Sequence, residues 1–596
     1  MSAIDFHEED FSSRFSGRTV LRILGLLKPY WKGTAFFLIL ISVVAFQDAL
    51  FTFITKLILD EGLFAGDMAR FTSLLNVYVG VAVSQAVIVF GFIIMAGFLG
   101  ERVQYSLRKR MFDHLQHLSF SYFDRTPVGW IMARVTSDSG RISSVITWGM
   151  IDFTWSVLNI IMSLCFMIAI NPVLGLIVCG VMPVMVVVAV QFQKRIVEQY
   201  RRARKLNSKL TARHNENITG VKVVKALGRE DKNLEEFGGQ ADEMYQASYK
   251  AARISALFLP VIQIISSLAF GAIVLYAGMG RGEHWISLGG IQAFLSYLAL
   301  MFWPIQQMAR VWAGLQSSLA SAERVFSLLD TEPEIKDREG AVAAPHLRTP
   351  ITFADVDFHY ETGKPVLSRF NLTVEPGRIV ALVGQTGAGK STIINLIARF
   401  YEPTAGEIRL DGVDYRNYTL HSIQSRIGIV LQTPHLFSGT VRDNIRYGRL
   451  DATDREIEEA ALLSRAHEFI RRLPKGYDEE VGENGGLLST GQKQLVSLAR
   501  AVLADPDIFI MDEATSSIDT ETERLIQEGE EAIFAGRTCF IIAHRLSTIR
   551  RADRIIVLEG GRIIEQGDHD QLIARRGKYH ALYTKSFELE EERAIG

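Results

Sequence analysis

GQTGAGKS, Gly384 to Ser391, lies between an apolar β-rich run, Ile379 to Val383, and a helical run, Thr392 to Phe400. A phosphate-binding loop requires that strand–loop–helix setting. Gly384, Gly387 and Gly389, with Thr386 and Ala388 between them, let backbone N–H groups wrap phosphate oxygens. Lys390 puts a cation on the β/γ-phosphates, Ser391 offers a hydroxyl to Mg²⁺, and Thr392 opens the helix. A chain of this length matches the bare pattern by chance in about a few per cent of cases, so a second element is needed.

IFIMDE, Ile508 to Glu513, supplies it. Four apolar residues read as a buried strand ending in two carboxylates. A carboxylate at a strand's C-terminal end holds Mg²⁺ through water, which suits Asp512. Glu513, one residue on, can orient or deprotonate an attacking water. Positioning, a metal and stabilisation of spreading charge are nearly all that phosphoryl transfer needs.

Working outward, the 596 residues at about 150 per domain predict roughly four domains. Hydrophobic residues make up 48% and charged residues 22%, which excludes disordered, collagenous and low-complexity classes. A net charge of −2 gives no global footprint for nucleic acid, and none is expected as a partner. Cys165, Cys179 and Cys539 form neither a disulfide framework nor a metal-ligand spacing.

The apolar residues are concentrated in the first half. Six stretches, approximately 34–58, 72–99, 143–170, 173–193, 255–279 and 286–308, each reach the length that spans a bilayer, about 20 residues. Arg102, Arg108 to Arg110, Lys194, Arg195 and Arg201 to Lys205 flank the inner ends of spans two and four. The opposite turns carry little positive charge, so the positive-inside rule puts both termini in the cytoplasm. Before the first span, Val20, Leu21, Ile23, Leu24, Leu26 and Leu27 form one apolar face among basic residues, predicting a short helix on the membrane surface.

Two hydrophilic segments, 100–142 and 194–254, keep helical periodicity and predict cytoplasmic extensions. Their tips are expected at Thr126 to Val135 and Asn217 to Ala226. The polar, proline-containing stretch from Asp330 to Pro345 marks the boundary. The expected division is a transmembrane domain at 1–330, a linker at 331–350 and an α/β nucleotide-binding domain at 351–596.

With these motifs in place, the chain resembles the ABC transporter superfamily, specifically the half-size exporters with six spans fused to one nucleotide-binding domain. Tyr360 in F-H-Y looks like the aromatic residue that stacks on adenine. Gln432 in V-L-Q-T-P looks like the glutamine that reaches the metal. Val481 to Gly485, V-G-E-N-G, resembles the exporter loop at the coupling helices. Leu488 to Gln494, L-S-T-G-Q-K-Q, resembles the family signature and includes Ser489, Thr490, Gly491 and Gln492. Ser516 to Asp519 resembles the loop crossing between two nucleotide sites, and His544 the switch histidine at the γ-phosphate. The resemblance implies a six-helix membrane domain plus an α/β P-loop ATPase domain using ATP and Mg²⁺. It also implies a dimer with nucleotides sandwiched between subunits, and alternating access in a lipid bilayer, expected to be a bacterial inner membrane. The cargo implied is an amphiphilic or hydrophobic compound, such as a drug, lipid or peptide.

One position departs from the family pattern. Thr490 stands where the signature usually has glycine, and its branched Cβ restricts close approach to phosphate. Lys390, Asp512, Glu513, Gln432 and His544 all match. A heterodimer is therefore expected, with this chain giving its intact residues to one site and its altered signature to the other; a homodimer is the alternative. Asp48, Gln85, Gln263, Gln306 and Gln307, with Trp148, Trp155 and Trp303, are candidate cargo contacts. A regulatory or channel-like membrane ATPase without export is the competing reading.

Overall fold

A computed structural model describes residues 17–279, 286–360, 364–512, 519–543 and 545–584. The chain divides into two compact units: Met1–His117 with Thr126–Thr331, and Leu118–Arg125 with Glu332–Gly596.

Among the described residues of the first unit, 6 helices are long and apolar enough to cross a membrane. They are Lys28–Leu63, Met68–His117, Val128–Ile170, Pro172–Thr219, Glu230–Tyr276 and Leu288–Ile305. Helices far longer than about 20 residues account for the hydrophilic segments, because apolar spans continue directly into polar extensions. The turn between the third and fourth is fixed by Asn171-Pro172. The Asn171 side chain accepts from the amides of Val173 and Leu174, 3.1 Å each, and Pro172 takes the first helical position, where no N–H is needed. The interior is lined by Ala49, Met167, Leu174, Val178, Phe294 and Tyr297. The Tyr297 hydroxyl is satisfied by the Ala49 carbonyl at 2.8 Å, as a buried phenol requires. The third span is interrupted by two π turns, Arg134–Asp138 and Val145–Gly149. The first carries buried Asp138, which Arg324 engages through two bonds of 2.9 and 2.8 Å.

The N-terminal helix, Gly17–Gly25, is amphipathic, and part of its apolar surface packs within the unit. Ile23 and Leu27 are buried, whereas Leu21 and Leu24 are exposed. Its inner side docks on the helix Phe302–Asp330: Arg22 makes a bidentate pair with Asp330 at 2.7 and 2.8 Å and lies 4.0 Å from the Phe326 ring centre. That guanidinium holds the Asp330 carboxyl below the usual carboxylate range.

The second unit contains two sheets. A four-stranded antiparallel sheet, β2-β1-β4-β5, uses β1 (Ile351–Phe358), β2 (Leu367–Val374), β4 (Ala405–Leu410) and β5 (Val413–Asp414). The six-stranded sheet runs β10-β9-β3-β8-β7-β6. Its members are β3 (Ile379–Gly384), β6 (Ile427–Val430), β7 (Ile508–Asp512), β8 (Thr538–Ile542), β9 (Arg554–Glu559) and β10 (Arg562–Gly567). Strands β3, β7 and β8 read IVALVG, IFIMD and TCFII, nearly unbroken apolar runs, as parallel strands covered on both faces do. Ala381, Phe509 and Ile541 face one core, and Leu382, Ile510 and Ile542 the other. The Cys539 thiol is sealed in the first, and burial pushes it up to about 12.

The segment Leu118–Arg125 also belongs to this unit, although the sequence places it within 1–330 and places the first tip later, at Thr126 to Val135. Its short helix, Phe120–Arg125, stacks Phe120 on Phe400 with ring centres 5.1 Å apart. Tyr401 donates to Asp124 at 2.5 Å, Ser121 and Arg125 both bond Glu334, and Ser119 accepts the Ile335 amide. Asp124 and burial together raise the Tyr401 phenol far above its ordinary value.

The Arg22–Asp330 pair sets a pH-dependent expectation. A carboxyl depressed on folding stabilises above its unfolded value of about 3.9, and that contribution is lost as pH falls through the depressed value. Both partners are solvent-accessible, so after screening the pair is worth about 0.5 kcal/mol. Asp330→Asn should raise amide exchange in residues 17–25 about twofold at pH 7. Mutant and parent should converge once pH has fallen well below the depressed value of the Asp330 carboxyl; equal exchange at pH 7 would remove the pair from the account.

Candidate nucleotide site

The register of the parallel sheet assembles this site. Leu382 on β3 pairs with Ile542 on β8, and Ile542 pairs with Asp512 on β7. Three adjacent strands therefore end side by side, and their following loops emerge at one edge. The loop after β3 is Gly384 to Gly389; β7 ends at Asp512 and β8 at Ile542.

The phosphate-loop geometry is intact. Gly389 takes φ +104, and a Cβ there would meet Leu367 Cδ2 at 2.9 Å. A Cβ at Gly384 would fall 2.4 Å from the Leu558 carbonyl oxygen, so only glycine fits between the loop and β9. The helix Lys390–Ile397 starts from Gly389 with no side-chain cap, leaving its first amides for an anion. Lys390 reaches back into the loop, donating from Nζ to the carbonyls of Gly384 (2.7 Å) and Gln385 (3.0 Å). Burial lowers the ammonium's pKa, and the Asp512 carboxylate opposes that shift, so the cation and the acid face a common space. Ser391 is exposed beside them. Thr386, Gly387 and Ala388 also line a cavity of about 120 Å³ opposite Leu558 to Gly560. A loop of open amides, a buried ammonium, a free hydroxyl and a strand-end carboxylate fit a nucleotide phosphate tail and a hard divalent cation.

Tyr360 stands just beyond β1. Its ring lies edge-on to Phe358 (4.9 Å) and Tyr401 (5.0 Å), and its hydroxyl is 3.0 Å from Thr392 Oγ1. The adenine-side and phosphate-side candidates are thus hydrogen-bonded to each other. Beside Tyr360 opens a cavity of about 550 Å³, walled in part by Tyr401, His359 and Thr404.

Other candidates lie apart. Ser489 caps the helix Thr490–Leu503: its Oγ accepts the Gln492 amide, and Gln492 Oε1 accepts the Ser489 amide at 2.9 Å. Among the described residues, no hydrogen bond or ion pair joins Ser489 to Gln492 with residues 384–392. Thr490 is exposed at the first helical position, and its φ is not positive. Its Cβ therefore adds bulk without backbone strain. Gly491 is buried, and Gln432 is exposed after β6. Asp519 caps the helix Thr520–Phe534 by accepting the Thr522 amide, which lowers its pKa. Glu513 and His544 lie outside the described residues.

Among the membrane candidates, four come together. Asp48 Oδ1 accepts from Gln85 Nε2 (2.7 Å) and Oδ2 from Trp155 Nε1 (2.8 Å). Trp155 meets Trp303 edge-on with ring centres 5.4 Å apart. Trp148 and Gln263 are exposed, Gln307 is buried, and the Gln306 side chain lies outside the described residues. The sequence reading missed Tyr401 and the 118–125 segment that holds it. The aromatic cluster F-S-Y-F-D-R was the available signal.

Comparison with known proteins agrees with this geometry. Residues 34–305 match the family described as ABC transporter transmembrane region, and residues 367–516 the family described as ABC transporter. The chain is 42% identical to the uncharacterized ABC transporter ATP-binding protein YfiC of Bacillus subtilis, over 81% of this chain and 80% of that protein. It is 38% identical to the ATP-dependent lipid A-core flippase of Syntrophus aciditrophicus, over 83% of this chain and 82% of that protein. A solved bacterial Atm1-family ABC exporter with ATP bound superposes with TM-score 0.73 at 28% identity, covering 95% of this chain and 98% of that one. Six membrane-length helices joined to a phosphate-loop α/β unit therefore place the chain in the ABC transporter family, as a half-size exporter subunit that is integral to the membrane and couples ATP hydrolysis to transport.

Proposed function

We propose that two half-transporters, this chain and a second subunit, bind Mg²⁺-ATP between them and export an amphiphilic or hydrophobic compound by alternating access. The observation that carries this reading is the sheet register, which lines up the Lys390 loop, Asp512 and the start of the 543–545 segment. The proposed setting is a bacterial inner membrane, with the ATPase unit and both termini in the cytoplasm.

Tyr360 stacks on adenine, and its hydroxyl gives up Thr392 when phosphate takes that position. The amides of Gly387 to Thr392 and the Lys390 ammonium hold the phosphate tail. Ser391, Gln432 and Asp512 would hold Mg²⁺, which supplies charge neutralisation at the β/γ-phosphates. Glu513 accepts a proton from the attacking water, and His544 donates to the γ-phosphate. Asp519 and the Ser489 to Gln492 segment serve the nucleotide bound by the opposite subunit. ATP binds the closed arrangement better than the open one, and that difference in affinity drives the change of access. The lipid A-core flippase among the relatives supports a lipid-like cargo.

Thr490 supports a heterodimer. Its side chain stands exposed at the turn that faces the opposite nucleotide in this reading, so one of the two sites is crowded. A partner with a glycine signature completes the other.

Three results test these assignments. Glu513→Gln should retain ATP binding and lose turnover by about a hundredfold or more, the scale of a general base; near-parental ATPase in proteoliposomes refutes the role. Tyr360→Phe should keep ATP affinity within about threefold, because the stacking ring remains, and Tyr360→Ala should weaken it about tenfold; isothermal titration reads both. Expressed alone, the chain should yield little active dimer; full activity without a second subunit overturns the heterodimer.

A further inference from the structure

The geometry points to a recognition site for lipophilic organic cations around Asp48, at the middle of the first span, and this inference deepens the export reading on which it rests. Asp48 receives only neutral donors: Gln85 and Trp155 bond it, and Asn159 stands close beside it. Among the described residues, no lysine or arginine pairs with it. A carboxylate has about four lone-pair positions, so the two bonds leave capacity for another donor. An unpaired charge at this depth is expensive to maintain.

Joining helices does not explain the charge. One residue earlier, Gln47 donates to Ser84 at 2.6 Å, linking the same two helices with neutral groups. An amide at position 48 would serve that purpose without the cost of burying a carboxylate. What the carboxylate adds is attraction for a cation.

The surroundings supply the rest of the chemistry. Asn159 is fully buried beside the carboxylate and acts on it as a further side-chain donor, while its Oδ1 has no partner. The hydroxyl of fully buried Ser156, on the same helix, also lacks one. Native proteins rarely leave such groups unsatisfied, and a ligand is one way to satisfy them. Trp155 and Trp303 bring two indole rings to the same place, and Trp303 is 52% exposed. Indole faces attract cations and bury apolar groups together. A carboxylate, two indoles and an open amide define a ligand with one diffuse positive charge and a hydrophobic body.

Tetraphenylphosphonium and tetraphenylborate make the test, since they share a shape and differ in sign. Tritiated tetraphenylphosphonium is bound to the detergent-solubilised full chain, without nucleotide, and read by scintillation proximity. Saturable binding is expected, with tetraphenylborate competing at least fivefold less well than unlabelled tetraphenylphosphonium. Asp48→Asn should weaken binding at least fivefold, and Asp48→Glu should restore it to within threefold. Absence of saturable binding, competition by tetraphenylborate within fivefold, or an Asp48→Asn loss under fivefold each overturns the site. Should Asp48→Asn fail to fold, the comparison of the two ions on the parent chain decides. Export itself is read separately, as ATP-dependent accumulation in inside-out vesicles that carry the chain together with its second subunit. A dimer that binds the cation but accumulates nothing refutes export and leaves the site standing.

Discussion

The alignment of β3, β8 and β7 is the constraint on which the ATPase unit depends. Each strand is apolar on both faces because both faces are covered, as the helical crossovers between parallel strands require. Parallel strands end at one edge, so three loops far apart in sequence become neighbours. A slip of one residue would invert every side chain, moving Phe509 and Ile541 out of one core and Asp512 away from Lys390. Packing on two faces thus fixes the position of the ammonium relative to the acid. The chemistry at the edge inherits its precision from hydrophobic residues that touch no nucleotide.

A second constraint runs through aromatic rings. Phe120 leans on Phe400 and Tyr401, Tyr401 bonds Asp124, and Tyr401 meets Tyr360. Tyr360 in turn bonds Thr392 on the phosphate-loop helix. Residues contributed by the stretch between two long helices are therefore two contacts away from the nucleotide candidates. Each link is a ring pair, stacked or edge-on, or a single hydrogen bond, so displacement at Phe120 has a short route to Tyr360.

Much of this was legible in the sequence, because local chemistry marks it. Six apolar runs set the spans, and the GQTGAGKS loop after a β-run set both the α/β unit and its phosphate edge. What the sequence hid is long-range. Leu118 to Arg125 contains neither glycine nor proline, so only its aromatic cluster, F-S-Y-F-D-R, marks its departure into the second unit. Its partners, Glu334 and Tyr401, lie more than two hundred residues away. The N-terminal helix hid a long-range partner too: nothing near Arg22 in the sequence marks its pairing with Asp330, 308 residues away. Thr490 was legible as a branched Cβ that restricts close approach to phosphate; the fold adds that its φ is not positive, so that bulk comes without backbone strain.

The Arg22–Asp330 pair also has a meaning for biosynthesis. Its partners are separated by 308 residues, and the helix bearing Asp330 is the last of its unit to be made. The Gly17–Gly25 helix therefore cannot reach its final docking place until all six spans have been synthesised. Its exposed Leu21 and Leu24 give it something else to hold meanwhile, the surface of the bilayer. Closure of that pair is a natural end point for maturation of the membrane unit, since it forms only when first and last helices coexist.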